Sequence, residues 1–331
     1  MRIAVNGFGR VGRVFTRIAL ERGLEVVAVN DVTDAATLAH LLAHDSTYGR
    51  LRAQVEYADD ALIVDGRKIV VTAQRDPAQL PWRELGVDVV IESTGKFRTR
   101  AQAAAHLEAG ARKVLISAPA KGAIDATIVM GVNQSVYDSA RHEVISNASC
   151  TTNCAAPMVD VLHRHFGVVK GFLTTIHGYT NDQQLLDGPH KDLRRARSAA
   201  LNIIPTSTGA AKAVGLVIPE TAGLLDGLAV RVPVPTGSLV DLAAVLARPV
   251  TPAEINAAFE HDAADGLRGI LRVAREPMVS TDIVGDSASC VLDSALTQSS
   301  GELVKVFGWY DNEWGYTERL ADLAEYVGAR L

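Results

Sequence analysis

Cysteine is scarce in this chain: there are three among 331 residues, two of them four positions apart on one expected helix. They cannot build an even-numbered disulfide framework, so they are read as chemical or buried groups. Long apolar runs are missing too. Met1-Arg2-Ile3-Ala4-Val5-Asn6-Gly7 lacks the core of a signal peptide, and no segment is apolar for long enough to cross a bilayer; a cytoplasmic location is expected. Nor is there an excess of basic charge. A formal charge of −5 gives no global attraction to nucleic acid or anionic membranes, so any basic site must be local. Internal repeats and low-complexity tracts are absent. What remains, 48% hydrophobic and 21% charged residues, is an ordinary globular composition. The length suits two domains of about 150 residues, each able to bury a core.

The most informative stretch present is Ser149-Cys150-Thr151-Thr152-Asn153-Cys154, where an irregular segment gives way to an apolar helical pattern. A thiol at a helix N-terminus faces free amide groups that favour negative charge, so the pKa of Cys150 is expected to fall below the free value of about 8.5. His177 ends the strand-like run Phe172-Leu173-Thr174-Thr175-Ile176-His177 and is a candidate base for that thiol. Cys154 follows one helical turn after Cys150, but a second pair of ligands for a metal is missing, so no metal is expected there. Cys154 and Cys290 are read as packing residues.

Glycine and acid placement point to a dinucleotide. Ile3-Ala4-Val5 is apolar, Gly7-Phe8-Gly9-Arg10-Val11-Gly12 matches G-x-G-x-x-G, Val11 to Leu20 has helical spacing, and Val26 to Val29 is again strand-like. In that context the glycines let a diphosphate approach backbone amides, and Asp31, about 20 residues on, suits the ribose hydroxyls of NAD and repels the extra phosphate of NADP. A capping role is the other reading of Asp31. Ser93, Thr94, Gly95 and Ser117 follow two further strands at their C-terminal ends, the side on which such sheets bind ligands; ordinary turns are the alternative.

Along the rest of the chain, Asp34 to His44 reads as a helix, and Gln54 to Thr72 as an antiparallel insertion turning at Asp65-Gly66. Val87 to Ile91 and Val114 to Ser117 flank an alanine-rich helix from Arg100 to Ala109, with last parallel strands near Ala126 to Met130 and Glu143 to Ser146. A helix from Cys150 to about Phe166 precedes long strand-like runs at 168–177, 225–234 and 239–247, which suit an antiparallel sheet. Tyr179 to Leu201 is a charged connector long enough to be functional or interfacial. Val304 to Asp311 reads as a strand and Trp314 to Arg330 as a closing amphipathic helix able to return to the first domain. The expected fold class is α/β: a dinucleotide-binding domain of residues 1–149 and 314–331, and an α+β domain of residues 150–313 with a mixed or antiparallel sheet.

Four long motifs, in order, carry a resemblance: Asn6-Gly7-Phe8-Gly9-Arg10, Ser146-Asn147-Ala148-Ser149-Cys150-Thr151-Thr152-Asn153-Cys154, His177-Gly178-Tyr179-Thr180-Asn181-Asp182-Gln183 and Trp309-Tyr310-Asp311-Asn312-Glu313. Over its whole length the chain resembles phosphorylating glyceraldehyde-3-phosphate dehydrogenase. The resemblance implies a Rossmann domain, NAD as cofactor and a homotetramer. It also implies that Cys150 attacks the aldehyde, that His177 assists as base, and that the resulting thioester is cleaved by inorganic phosphate. Thr180 and Arg231 match the residues for the substrate phosphate; Ser149, Thr151, Thr208 and Gly209, with the charge of Arg195, match those for inorganic phosphate. Read on its own, Thr206-Ser207-Thr208-Gly209 is also a helix start able to hold an anion, with a plain cap as the alternative. Asn312 and Tyr316 match positions near the nicotinamide, and Arg75 joins the cofactor residues.

Two positions depart from the family pattern. Gly188, beside Pro189, stands where NAD-specific members commonly carry leucine, so NAD use with some NADP tolerance is expected. Gly178 replaces a common serine. The run Lys191, Arg194, Arg195 and Arg197 is short and without interleaved aromatics, which disfavours nucleic acid. Three other readings stay open: an erythrose-4-phosphate dehydrogenase with little use for phosphate, a dinucleotide-binding regulatory protein without chemistry, and a cysteine hydrolase.

Overall fold

The computed structural model describes residues 1–331. Two compact units emerge, one of Met1–Ile128, Gln134–Ala148 and Thr317–Leu331, the other of Val129–Asn133 and Ser149–Tyr316. Val129–Asn133 joins the second unit because Gly131 lies against Leu267 and Ile270, so closely that a Cβ there would come within 2.5 Å of the Ile270 side chain.

Alternating strands and helices build the first unit. β1 (Arg2–Asn6), α1 (Arg10–Arg22) and β2 (Glu25–Asn30) form the expected βαβ start, and Gly23 in the left-handed region at φ +70° ends the helix. α2 (Ala35–Ala43) is capped by Asp34, whose side chain accepts the Thr37 amide. β3 (His44–Asp45) and β4 (Gly49–Arg50) make a small separate hairpin. Then come β5 (Val55–Ala58), β6 (Ala61–Val64), β7 (Arg67–Thr72), β8 (Val89–Glu92), α3 (Arg100–Ala103), α4 (Ala105–Glu108), β9 (Lys113–Ile116), β10 (Ala126–Thr127) and β11 (Val144–Ser146).

The sheet order is β10-β11-β9-β8-β1-β2-β7-β6-β5. Pairing is parallel from β10 to β7 and antiparallel at β6 and β5. The antiparallel hairpin thus extends the parallel sheet at its edge rather than standing apart as an insertion, because β7 pairs directly with β2. The helix expected over Arg100–Ala109 is broken at Ala104, where Leu107 N–H reaches back only three residues to Ala104 O. Trp82 is fully buried in a cluster with Ala4, Val27, Leu80, Val87 and Val90.

In the second unit, α5 (Cys150–Phe166) leads into β12 (Val168–Gly178), β13 (Ile204–Ser207), α6 (Ala210–Val217), β14 (Leu225–Val232) and β15 (Ser238–Leu246). α7 (Pro252–Ala264), β16 (Leu271–Ala274), β17 (Cys290–Asp293), β18 (Gln298–Ser300) and β19 (Leu303–Tyr310) follow. The sheet runs β13-β14-β12-β15-β19-β17-β16, with β18 beside β19. It is mixed: β12 and β14 are parallel, as are β16 and β17, while the other pairs are antiparallel. The antiparallel expectation for all the long runs is corrected by the β12–β14 pair, which needs the crossover through β13 and α6. Every second residue of β15 is buried, the pattern of a sheet with one face on a core.

The chain closes with α8 (Trp314–Gly328), whose Glu318, Asp322 and Glu325 all pair with Arg22 in the last turn of α1. No helix is long and apolar enough to cross a membrane.

Candidate active site

Cys150 is the first residue of α5, and Ser149 is its N-cap, accepting the Thr152 amide at 3.0 Å. β12 ends at the same place, and its His177 brings Nε2 to 3.3 Å from Cys150 Sγ. Register then adds a cation: His177 is paired with Arg231 across parallel strands, and Arg231 Nη1 lies 2.9 Å from His177 Nδ1 and 3.4 Å from Thr180 Oγ1. Nδ1 is also 2.7 Å from Gly178 O. Only the tautomer with its proton on Nδ1 leaves Nε2 free to accept the Cys150 proton, and Gly178 O stabilises that tautomer.

Burial pushes the Cys150 thiol up from its ordinary value, with the Arg231 charge and the Thr151 amide pulling the other way. Burial, and then the Arg231 charge, hold the His177 imidazole down at about 3. The lowered thiol pKa expected from the helix N-terminus is therefore corrected. For this thiol desolvation outweighs the helix N-terminus. The 3.3 Å contact gives the Cys150 proton a direct path to His177 Nε2, and a thiolate and an imidazolium formed there would each offset the cost of burying the other.

Tyr310 was not singled out from the sequence, yet it links both halves of this arrangement. Its hydroxyl lies 2.9 Å from Thr151 Oγ1 on α5 and 2.8 Å from Thr175 Oγ1 on β12, and its ring meets His177 edge-on at 5.9 Å. The alternating pattern of β19 predicts only that Tyr310 is inward-facing; its partners come from distant segments.

Two cationic groups face the same region. Arg231 Nε is buried without a hydrogen-bond partner, a donor held ready for an anion. Arg195 is bonded to Asp182, to Thr206 Oγ1 at 2.9 Å and to Ser207 O at 3.2 Å, and its charge reaches both His177 and Arg231. Ser149 and Thr151 have their hydroxyls engaged, on Thr152 and Tyr310. Thr206 and Ser207 belong to β13, not to a helix start; α6 begins at Ala210 with Gly209 as its cap residue, and Thr208 Oγ1 accepts the Ala210 amide. Thr208 and Gly209 make no hydrogen bond to Cys150 or His177.

Asn312 Oδ1 accepts from Ser238 Oγ at 2.7 Å and Thr236 Oγ1 at 3.2 Å, which leaves its amide N–H groups as the free donors. Tyr316 is buried. Cys154 and Cys290 are buried in the core, packed with Met158 around Gly308.

The glycine turn of the first unit fits a diphosphate. Gly7 has φ +93°, and a Cβ there would stand 2.6 Å from the Thr94 amide nitrogen; at Gly12 it would stand 2.2 Å from Gly7 O. Nothing lies within 4 Å of the Cβ position of Gly9, and no side chain caps α1. Asp31 accepts the Phe8 amide at 2.8 Å and the Thr33 amide at 3.1 Å, while Asp34 caps α2; the capping reading of Asp31 falls away.

Asn6 and Ser93 hold the turn from beneath: Ser93 Oγ donates to Gly7 O, and Asn6 donates to Glu92. Glu92 and His106 complete that buried network. Trp82 Nε1 donates to His106 Nδ1 at 3.0 Å, which puts the His106 proton on Nε2, 3.0 Å from Glu92. Glu92 in turn accepts the Thr94 amide. Neither was expected from the sequence, where nothing distinguishes them from exposed helix and strand polar residues. Gly95, at φ +69°, and Ser117, whose amide reaches Glu92 O, lie in turns at strand ends. Arg10 is paired with Asp45, Val11 is half-buried, and Arg75 is exposed.

Residues 1–100 match the NAD binding domain, and residues 149–312 the C-terminal domain, of glyceraldehyde 3-phosphate dehydrogenase. The chain belongs to the glyceraldehyde-3-phosphate dehydrogenase family. It is 60% identical to the glyceraldehyde-3-phosphate dehydrogenase of Streptomyces coelicolor, across 100% of this chain and 99% of that one. The proteins of that name from Geobacillus stearothermophilus, at 57%, and glyceraldehyde-3-phosphate dehydrogenase 1 of Bacillus subtilis, at 56%, are covered to the same extent. Membership brings an NAD-binding domain and oxidoreductase chemistry to the α/β architecture described above.

Proposed function

We infer that this protein oxidises glyceraldehyde 3-phosphate with NAD and inorganic phosphate, giving 1,3-bisphosphoglycerate in glycolysis or gluconeogenesis. The observation that carries the reading is Cys150 Sγ held 3.3 Å from His177 Nε2 at the start of a helix, in a chain of this family. His177 takes the thiol proton as sulfur bonds to the aldehyde carbon and returns it to the former carbonyl oxygen, which leaves a hemithioacetal on Cys150 and a neutral imidazole. NAD, when bound, accepts a hydride. His177 removes the hydroxyl proton as that hydride leaves, and a thioester on Cys150 remains. A phosphate oxygen then attacks the acyl carbon, the C–S bond breaks, and the cysteine is regenerated.

Arg231 and Thr180 bind the substrate phosphate, supported by the unpartnered Nε of Arg231. Ser149, Thr151, Thr208, Gly209 and Arg195 serve inorganic phosphate, with Arg195 leaving Asp182 to do so. Gly7 to Gly12, Asn6, Asp31, Arg75, Ser93, Thr94, Gly95 and Ser117 hold NAD, with Asn312 and Tyr316 at the carboxamide end. Residues 1–149 and 314–331 act as the cofactor domain and 150–313 as the catalytic domain. Gly188 gives some NADP tolerance. Exposed Leu185, Leu186, Leu193 and Leu201 on the charged connector, with Ile203 just beyond it, support self-association as a homotetramer. The protein works in the cytoplasm.

The test follows NAD and NADP reduction with glyceraldehyde 3-phosphate and with erythrose 4-phosphate, each with and without phosphate. Phosphate-dependent turnover of the triose, preferring NAD and lost in Cys150→Ser, is expected. Phosphate-independent turnover of the tetrose would make this an erythrose-4-phosphate dehydrogenase, and release of acid without reduced NAD would make it a hydrolase.

A further inference from the structure

The last turn of α5 and the end of α7 carry a second cluster of chemically active side chains, at the opposite end of α5 from Cys150 and about 22 Å along its axis. His165, His261 and Asp262 each offer one ligand atom there, all within 4.8 Å of one another. His261 Nδ1 is 3.0 Å from Asp262 Oδ1; His165 Nε2 is 3.3 Å from Oδ1 and 3.2 Å from Oδ2. Bonds of about 2.0–2.1 Å to a tetrahedral ion separate its ligands by about 3.4 Å, so small side-chain rotations suffice to enclose one.

We propose that His165, His261 and Asp262 form a binding site for a divalent transition metal, with zinc as the representative ion. Two imidazoles with one carboxylate select zinc, nickel or copper over magnesium or calcium, which favour oxygen ligands. The His261 side chain is 70% exposed and gives the ion an entry path, with water completing the coordination. Asp262 is nearly buried and its Oδ2 is also held by Arg164 Nη2 at 2.9 Å, which orients the carboxylate and leaves Oδ1 directed at the two rings. Because the ligands come from two helices, the ion fastens α5 to α7. From the sequence no metal is expected, because Cys150 and Cys154 lack a second pair of ligands; the present cluster lies elsewhere and uses no cysteine.

Equilibrium dialysis of zinc against the Cys150→Ser protein tests this, since that substitution removes zinc captured by the Cys150–His177 pair. One zinc per chain is expected, with affinity at least tenfold weaker in His261→Ala and in His165→Ala, each placed in the same background. Zinc should raise the thermal midpoint of Cys150→Ser but not of the histidine variants. His261→Ala alone should keep normal turnover, which checks that it folds. Equal zinc affinity in all three proteins, or no saturable binding at millimolar zinc, would overturn the proposal.

Discussion

Arg231 Nη1 stands 2.9 Å from His177 Nδ1, because the two residues are register partners on parallel β12 and β14. A fixed cation beside an imidazole makes protonation of the ring harder, and here it adds to burial to hold His177 at about 3. In Arg231→Leu that charge is gone and the His177 pKa rises. The acid limb of the kcat/KM profile for glyceraldehyde 3-phosphate should therefore move to higher pH. The loss of a charged hydrogen-bond donor should also lower kcat/KM by about 10–100-fold, mostly through KM. An unmoved limb with unchanged KM would remove Arg231 from the site.

His177 has a second measurable duty toward Cys150. In His177→Asn the thiol loses its proton acceptor while its burial remains, and only the Arg231 charge and the hydrogen bonds of Thr151 and the Cys150 backbone oppose the upward push on its pKa. Alkylation by iodoacetamide at pH 7 should slow by about tenfold or more and recover above pH 9, and turnover should fall by about 10²–10⁴-fold. Labelling at pH 7 as fast as in the unaltered protein would show that Cys150 ionises without the imidazole.

The parts of this site that sequence reading reached are those set by local rules. Gly7, Gly9 and Gly12 follow a strand and open a helix, Cys150 stands at the start of α5, and His177 ends a β-rich run; each is decided within about ten residues. Partners set by register or by packing between distant segments were out of reach. Tyr310 meets Thr151 and Thr175, and the Glu92–His106–Trp82 chain joins β8, α4 and a turn, with no periodicity to announce either. The pKa of Cys150 failed for a related reason: the helix N-terminus is legible in one dimension, whereas desolvation depends on everything packed around the sulfur. α7 was missed although its signal was present. Thr251, Pro252 and Glu254 form a capping box with proline in the first turn, but its helical periodicity is weak, with only Ile255, Ala258, Phe259 and Asp262 buried.

Tyr310 tests how much the Cys150–His177 geometry depends on that distant support. Tyr310→Phe keeps the ring against His177 and removes the hydroxyl that lies between Thr151 and Thr175. Two buried threonine hydroxyls lose a partner, which should cost about 1–3 kcal/mol in urea unfolding. Turnover should fall with little change in KM, because α5 and β12 are less firmly registered. A variant as stable and as active as the original would show that the bridge is incidental.

Gly188 lies in the charged connector, where a Cβ would meet only Gln184 Oε1 at 3.1 Å, the end of a flexible side chain. Gly188→Leu should therefore fold normally. If this glycine is the source of NADP tolerance, the substitution should lower kcat/KM with NADP several-fold while leaving NAD turnover nearly unchanged. An unaltered NAD to NADP ratio would locate the preference elsewhere, with Asp31 the first residue to vary.

Gly9 and Gly12 separate the two uses of glycine in the turn. At Gly12 an added Cβ collides with Gly7 O at 2.2 Å, so Gly12→Ala must push α1 away from the turn even in the free protein. It should lose thermal stability and NAD binding together. At Gly9 there is open space and φ is −72°, which any residue adopts, so Gly9→Ala should leave the thermal midpoint of the free protein unchanged. Its methyl group would occupy the space a diphosphate needs, and NAD affinity in a fluorescence titration should fall by at least tenfold. If Gly9→Ala bound NAD as well as the original chain does, the cofactor's diphosphate would not be resting on this turn.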